Sequence, residues 1–176
     1  MKDYLASQEL FWPKIDGKLV QPTLGGFWLR RHRLVALQDS LLDQQQRTRL
    51  KRAIQLFDDA CADQSRGVEQ KGSRELEARL RQWAGALEEL LEDEQPSPAY
   101  YRSDVEIRAI IETLLGHFAP LPAERKAPFL EELETLDHQL AERWAAGKFI
   151  WPAEWAPAYP RPAYWWLYGQ LKPPED

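Results

Sequence analysis

Sulfur-containing residues, histidines and long apolar runs are scarce in this chain of 176 residues. It contains one cysteine, one methionine and three histidines. A single cysteine excludes an internal disulfide and a zinc site built from several thiolates, and it favours a reducing compartment. There is no run of about 18 apolar residues, and the N-terminal stretch has no apolar leader core. A cytoplasmic protein without a membrane span is therefore expected.

The sequence also lacks the motifs of common catalytic sites. It has no Gly-x-Ser-x-Gly, and Gly25-Gly26 has neither the spacing nor the lysine of a phosphate-binding loop. Asp58, Asp59 and Asp63 lie close to Cys61 in sequence, and their negative charge is expected to raise the pKa of the thiol. The sequence therefore predicts no cofactor and gives little support for an enzyme.

Apolar and charged residues are present in the proportions of a globular protein. The hydrophobic fraction is 44% and the charged fraction 29%, and the length suits one domain over residues 1–176. The net charge is −5, but residues 28–57 carry seven basic and two acidic side chains, a net +5, which leaves −10 for the rest. Such a basic segment favours contact with acidic helices of the same chain, with an acidic protein or with a nucleic acid.

The spacing of apolar residues predicts an all-α fold, with a four-helix up-and-down bundle over residues 28–147. The first helix is expected to run from Trp28 to about Ala62. Asp43 and Gln46 have the pattern of a capping box, which predicts a break in that helix. The second helix is expected to begin at Ser73 and to bury a seam with alternating spacings of four and three: Leu76, Leu80, Trp83, Leu87 and Leu90.

The third and fourth helices follow two proline-containing links. A capping box at Ser103 is expected to open the third helix, whose wide apolar band predicts the most enclosed position. The fourth is expected to start near Pro122 or Pro128 and to end at Gly147. Its inner stripe consists of Leu133, Leu136, Leu140 and Trp144.

The two ends of the chain are expected to be irregular. In residues 1–27, the stretch Ile15-Asp16-Gly17-Lys18-Leu19 is typical of a short hairpin or loop. Residues 148–176 form an aromatic tail, which has four tryptophans and four prolines between Lys148 and Gly169. These prolines exclude a regular helix before Ala163. The tail is expected to pack on the bundle, because so many uncovered rings would promote aggregation.

Two groups of residues are candidates for contact with a protein partner, because aromatic and arginine side chains dominate protein interfaces. One lies at the basic start of the first helix: Trp28, Arg30, Arg31 and Arg33. The other lies in the aromatic tail: Trp155, Tyr159, Tyr164, Trp165 and Trp166. The sequence thus predicts a non-catalytic protein-binding module, such as an adaptor, an assembly factor or a regulatory subunit. A second copy of the chain, forming a homodimer, is one candidate partner.

Nucleic-acid binding is an alternative function for the first group. The segment from Arg30 to Arg33 places three arginines and a histidine beside Trp28. Adjacent cations with an aromatic ring can bind phosphates and stack on a base. Binding of this kind depends steeply on salt.

A metal-dependent hydrolase is the other alternative. Glu88-Glu89-Leu90-Leu91-Glu92 and Glu134-Thr135-Leu136-Asp137 resemble the Glu-Glu-x-x-Glu and Glu-x-x-Asp elements of all-helical nucleoside triphosphate pyrophosphohydrolases. The resemblance implies Mg²⁺ or Mn²⁺ held by Glu88, Glu89, Glu92, Glu134 and Asp137. Acidic residues at the C-terminal end of a helix are disfavoured by its dipole. A basic partner near Glu88–Glu92, from the first helix or from outside the chain, is therefore also expected.

Overall fold

The computed structural model describes residues 2–12, 22–95, 97–117 and 123–173. The described part is mostly helical, as predicted, and its α-helices are α1 (Lys2–Ala6), α2 (Leu24–Leu41), α3 (Gln44–Asp63), α4 (Ser65–Glu92), α5 (Pro98–His117) and α6 (Ala123–Glu142). Two 3₁₀ helices follow, Ala153–Ala158 and Trp165–Leu167, with an antiparallel pair of strands, β1 (Trp144–Phe149) and β2 (Tyr168–Leu171). Among these helices, none is both long and apolar enough to cross a membrane. The Asp-Gly turn of residues 15–19 lies outside the described residues.

The break at Asp43 is confirmed, and it divides the first predicted helix into α2 and α3. The Asp43 side chain accepts a hydrogen bond from Gln46 N (2.8 Å), and the Gln46 side chain accepts one from Asp43 N (2.9 Å). The helix also starts earlier than expected, because Thr23 Oγ1 caps it by accepting from Gly26 N (3.1 Å). Gly25 and Gly26 therefore lie within the first turn of α2.

Three predicted boundaries were wrong. α4 begins at Ser65 instead of Ser73, because the glycine at position 67 allows close packing and does not mark a loop. A Cβ on Gly67 would lie 2.5 Å from the carbonyl oxygen of Leu5 in α1. α5 begins at Pro98, where proline suits a first turn. α6 ends at Glu142 and not at Gly147, which lies inside β1.

The chain divides into two compact units: Met1–Leu76, called unit 1, and Glu77–Asp176, called unit 2. In unit 1, the buried side chains from α1, α2 and α3 include Leu5, Leu29 and Phe57. The single-domain organisation and the up-and-down arrangement of four helices stay predictions.

The core of unit 2 follows the sequence pattern. The predicted seam of α4 is buried in unit 2, as are the inner leucines of α6: Leu80, Trp83, Leu87, Leu90, Leu133, Leu136 and Leu140. The first residue of the seam, Leu76, is the last residue of unit 1 and is buried as well. Trp144, expected to continue the stripe of α6, instead opens β1 and pairs with Leu171 of β2. Gly169 is required in β2, because a Cβ there would lie 2.2 Å from the carbonyl oxygen of Ala145. The tail therefore forms a sheet with the residues that follow α6.

Candidate interaction surfaces

The basic start of α2 is divided between internal packing and solvent. Trp28 is buried and meets the Phe57 ring edge-on, with centroids 6.4 Å apart. Arg31 is half-buried and forms a two-point ion pair with Asp58 of α3, in which Nη2 lies 3.1 Å from Oδ2. Arg33 is half-buried and is engaged in further contacts. Of the four predicted contact residues on this helix, Arg30 is the exposed one.

Two leucines on α2 have the spacing of one apolar helix side and are nevertheless exposed. Leu34 keeps 40% of its surface exposed and Leu41 keeps 49%. Arg30, Leu34, Gln38 and Leu41 follow one another at spacings of four, four and three residues, so they lie along one side of the helix. We call these four residues the α2 stripe. The apolar periodicity was read correctly as helical, but it does not mark a buried face here.

The positive charge of α3 is largely unneutralised. Arg49, Lys51 and Arg52 are exposed. Within the described part of the chain, none of these three residues or Arg30 forms an ion pair. The first half of α3 therefore presents a positive surface to solvent.

An open polar cleft lies at the turn between α2 and α3, with a volume of about 300 Å³. Its lining residues come from both helices: Gln38, Asp39, Gln44, Arg47, Thr48 and Lys51. Arg47 Nη1 lies 3.1 Å from Asp39 Oδ1, so the one acidic side chain in this lining is already paired. Because Gln38 belongs to both the cleft and the α2 stripe, the exposed leucines and the basic lining form one continuous surface.

The aromatic tail is largely internal to unit 2. Tyr159 and Trp166, which the sequence put forward as contact residues, have no exposed surface. Tyr101 Oη of α5 donates to the carbonyl oxygen of Trp166 (2.7 Å), and Trp151 Nε1 donates to that of Arg102 (3.1 Å). Tyr159 and Trp166 are thus corrected from surface to core positions, because neighbouring rings and α5 enclose them.

The remaining tail candidates are half-buried. Trp155 packs edge-on against Trp151, and Trp165 against Trp144, with centroids 6.1 Å apart in both pairs. The Tyr164 ring packs against the Tyr159 ring, with centroids 5.0 Å apart, and burial raises the pKa of the Tyr164 hydroxyl.

A pocket bordered by Tyr101, Arg102 and β2 has a volume of about 40 Å³. It can hold water but not a metabolite, whose sites usually measure hundreds of Å³.

Arg108 of α5 organises the polar part of this core, and the sequence analysis did not identify it. Its side chain is 4% exposed and forms a two-point ion pair with Asp137 of α6, at 2.9 and 2.8 Å. It also binds Glu112 at 2.9 Å and lies over the Trp166 ring, 4.8 Å from the centroid. Burial alone lowers the pKa of Arg108, but hydrogen bonds and charge from Asp137 and Glu112 outweigh burial and raise it.

The carboxylates of the proposed metal site are not brought together. Asp137 is engaged by Arg108, and the others are exposed: Glu88, Glu89, Glu92 and Glu134. The described residues contain no cluster of three or more acidic, histidine or cysteine side chains that could hold a metal ion. The resemblance to the pyrophosphohydrolase elements is therefore not matched by a convergent ligand set.

The C-terminal end of α4 is capped by an arginine of unit 2. Arg143, which follows α6, donates to the carbonyl oxygens of Leu91 and Asp93, the latter at 3.2 Å. The same guanidinium donates to Lys172 beyond β2, with Nη2 at 2.8 Å. A cation at the C-terminal end of a helix offsets the helix dipole. Arg143 therefore acts on the helix end through its backbone carbonyls, and a basic partner for the carboxylates of Glu88–Glu92 stays a prediction.

Cys61 has the predicted electrostatics of an unreactive thiol. Burial and the charge of Asp58 raise its pKa to about 11, despite an opposing effect of Arg31. A thiol with this pKa is almost fully protonated near neutral pH, so Cys61 lacks the thiolate that nucleophilic catalysis requires.

Comparison with known proteins identifies no relative of this chain. No protein-family model matches the sequence. No curated protein and no solved structure matches it at a significant level either. The surfaces described above are therefore the features of this chain that indicate its function.

Proposed function

We propose that the chain is a non-catalytic protein-binding module, acting in the cytoplasm as an adaptor, an assembly factor or a regulatory subunit. The observation that carries this proposal is the α2 stripe, in which Leu34 and Leu41 are exposed beside the exposed Arg30. Contiguous exposed apolar surface with a polar rim is a mark of protein interaction sites. We infer that α4, α5 and α6 belong to the up-and-down bundle that the sequence predicts.

The half-buried tail rings are a second contact surface under this proposal. Trp155, Tyr164 and Trp165 are each half-buried, and neighbouring rings pack against them. Rigid aromatic side chains gain binding energy at little cost in side-chain entropy. The buried rings of Tyr159 and Trp166 pack against Tyr164 and so support this surface.

Nucleic-acid binding remains the second candidate, because one observation favours it. Arg30, Arg49, Lys51 and Arg52 are exposed, and none forms an ion pair with a described residue. Phosphate binding through these side chains predicts an affinity that falls steeply with salt and does not depend on Leu34 or Leu41.

Cross-linking on the full-length protein tests the protein-binding proposal. The wild type, Leu34→Ser/Leu41→Ser and Leu130→Ser are compared in lysate of the source cells, with bound proteins identified by mass spectrometry. Leu130 is the matched control, since it is a similarly exposed leucine (45%) on α6. We expect the stripe variant to lose specific partners that the control retains, with equal unfolding midpoints for all three proteins. Identical partner sets for wild type and stripe variant would contradict this assignment of the surface.

A further inference from the structure

The α2 stripe and the adjoining cleft combine two recognition chemistries on one surface. Leu34 and Leu41 provide apolar anchors seven residues apart, and Gln38 lies between them. Seven residues are two helical turns, about 10 Å along the axis. The cleft beside Gln38 is lined by the basic residues Arg47 and Lys51. A partner for this surface therefore needs apolar side chains in a row, with negative charge opposite Arg30 at one end of that row and opposite Lys51 in the cleft beside it.

The charge of the surrounding segment is not satisfied by its own acidic residues. Residues 28–57 carry a net +5, and one of their two acidic residues, Asp39, is already paired with Arg47. The other, Asp43, is held in the capping box with Gln46. Arg31 is paired with Asp58 of the same unit. What faces solvent is the excess of positive charge, which is complementary to an acidic partner.

The geometry favours a helical partner. The exposed anchors repeat with the spacing of one helix face, and a second amphipathic helix places its own apolar residues at the same spacing. Leu37 lies between the anchors in sequence and is only 3% exposed, so the centre of α2 is fixed by the core of the protein. A helix held in this way is already rigid before it binds, so binding costs it little conformational entropy.

From these observations we propose that the α2 stripe binds an acidic amphipathic helix of another protein. Apolar side chains of that helix pack on Leu34 and Leu41, and its carboxylates pair with Arg30 and Lys51. The inference rests on the proposed protein-binding function and names its partner class. Nucleic acid and anionic membrane share the attraction to positive charge but not the requirement for both leucines.

The test measures binding of the full-length protein to designed peptides of about 20 residues, a length that spans several helical turns. The first peptide carries a leucine stripe with glutamate on its flanks. The second replaces the glutamates with lysine, and the third replaces the leucines with serine. Single-stranded RNA and vesicles of phosphatidylserine and phosphatidylcholine are measured beside them. The proteins are the wild type, Leu34→Ser/Leu41→Ser, Arg30→Glu/Lys51→Glu and the control Leu130→Ser.

We expect the glutamate–leucine peptide to bind the wild type at least about tenfold more tightly than the other two peptides, equivalent to about 1.4 kcal/mol. Both surface variants should lose at least that factor, whereas Leu130→Ser should bind like the wild type. The charge-reversed variant should also bind the lysine peptide better than the wild type does. Equal unfolding midpoints exclude loss of folding as the cause.

Three outcomes overturn the inference, and they distinguish its failure from a failure of the proposed protein-binding function. Equal binding of the acidic and basic peptides removes the acidic partner class but leaves protein binding intact. Binding of RNA or vesicles that is unchanged by Leu34→Ser/Leu41→Ser, without peptide binding, assigns the surface to one of those ligands. No binding of any probe, together with unchanged cross-linked partners in the stripe variant, rejects both the inference and the proposed function.

Discussion

At the scale of single residues, Arg108 shows how a buried charge holds elements together. Its guanidinium binds Asp137 from α6, binds Glu112 from its own helix and lies over Trp166 from the tail. A buried cation costs several kcal/mol of desolvation, which is offset only if its partners are well placed. Sequence patterns do not indicate this pair, because 29 positions separate Arg108 from Asp137 and only folding brings them together.

Asp137→Asn tests the importance of this pair. We expect a loss of about 3 kcal/mol in the free energy of unfolding, because the buried guanidinium loses its charged partner. Glu112→Gln is the matched control; the Glu112 side chain is 38% exposed, so its loss should cost about 1 kcal/mol or less. Urea unfolding measures both values. Equal, small losses would show that Arg108 is solvated well enough to do without Asp137.

At the scale of elements, glycine has different roles within α4. Gly67 lies where α1 approaches, and an added Cβ would be 2.5 Å from the carbonyl oxygen of Leu5. An added Cβ on Gly85 has no neighbouring atom within 4 Å. The same residue type therefore serves close packing at one position and has no packing role at the other. The sequence pattern placed the start of this helix at Ser73, after Gly67, because it could not reveal the neighbouring helix.

Gly67→Ala and Gly85→Ala separate these two roles. Replacing Gly85 should stabilise the protein by about 1 kcal/mol, because alanine is the better helix former. Replacing Gly67 should destabilise it by about 1–3 kcal/mol, because α1 must shift from α4. Hydrogen exchange should show faster exchange of the α1 amides in Gly67→Ala only. Protected α1 amides in that variant would mean that the backbone absorbs the extra methyl group.

At the scale of the whole molecule, the tail completes unit 2 and cannot be treated as an appendage. β1 begins at Trp144, two residues after α6 ends, and pairs with β2 at the far end of the tail. Tyr159 and Trp166 lie between these strands in sequence and are fully buried. Removing the tail would therefore remove part of the core as well as one strand of the sheet.

Truncation provides the corresponding prediction. A chain ending at Gly147 stops inside β1 and lacks Tyr159 and Trp166, each of which contributes on the order of 3–5 kcal/mol when a core aromatic is truncated. That loss is comparable to the stability of a typical domain, so unit 2 should lose its cooperative thermal transition. A chain ending at Lys172 keeps both strands and should unfold like the full chain. An unchanged midpoint for the shorter chain would refute this account of the core.

Local sequence patterns were sufficient to predict the helical class, the break at Asp43 and the buried seam of α4. These features depend on local spacing and capping, so they can be read from neighbouring residues. The tertiary structure decided which apolar residues are covered and which charges are paired. It left Leu34 and Leu41 exposed, buried Tyr159 and Trp166, and engaged Asp137 with Arg108. Burial and ion pairing depend on residues that are distant in the chain but close in space. Local sequence patterns do not identify these residues.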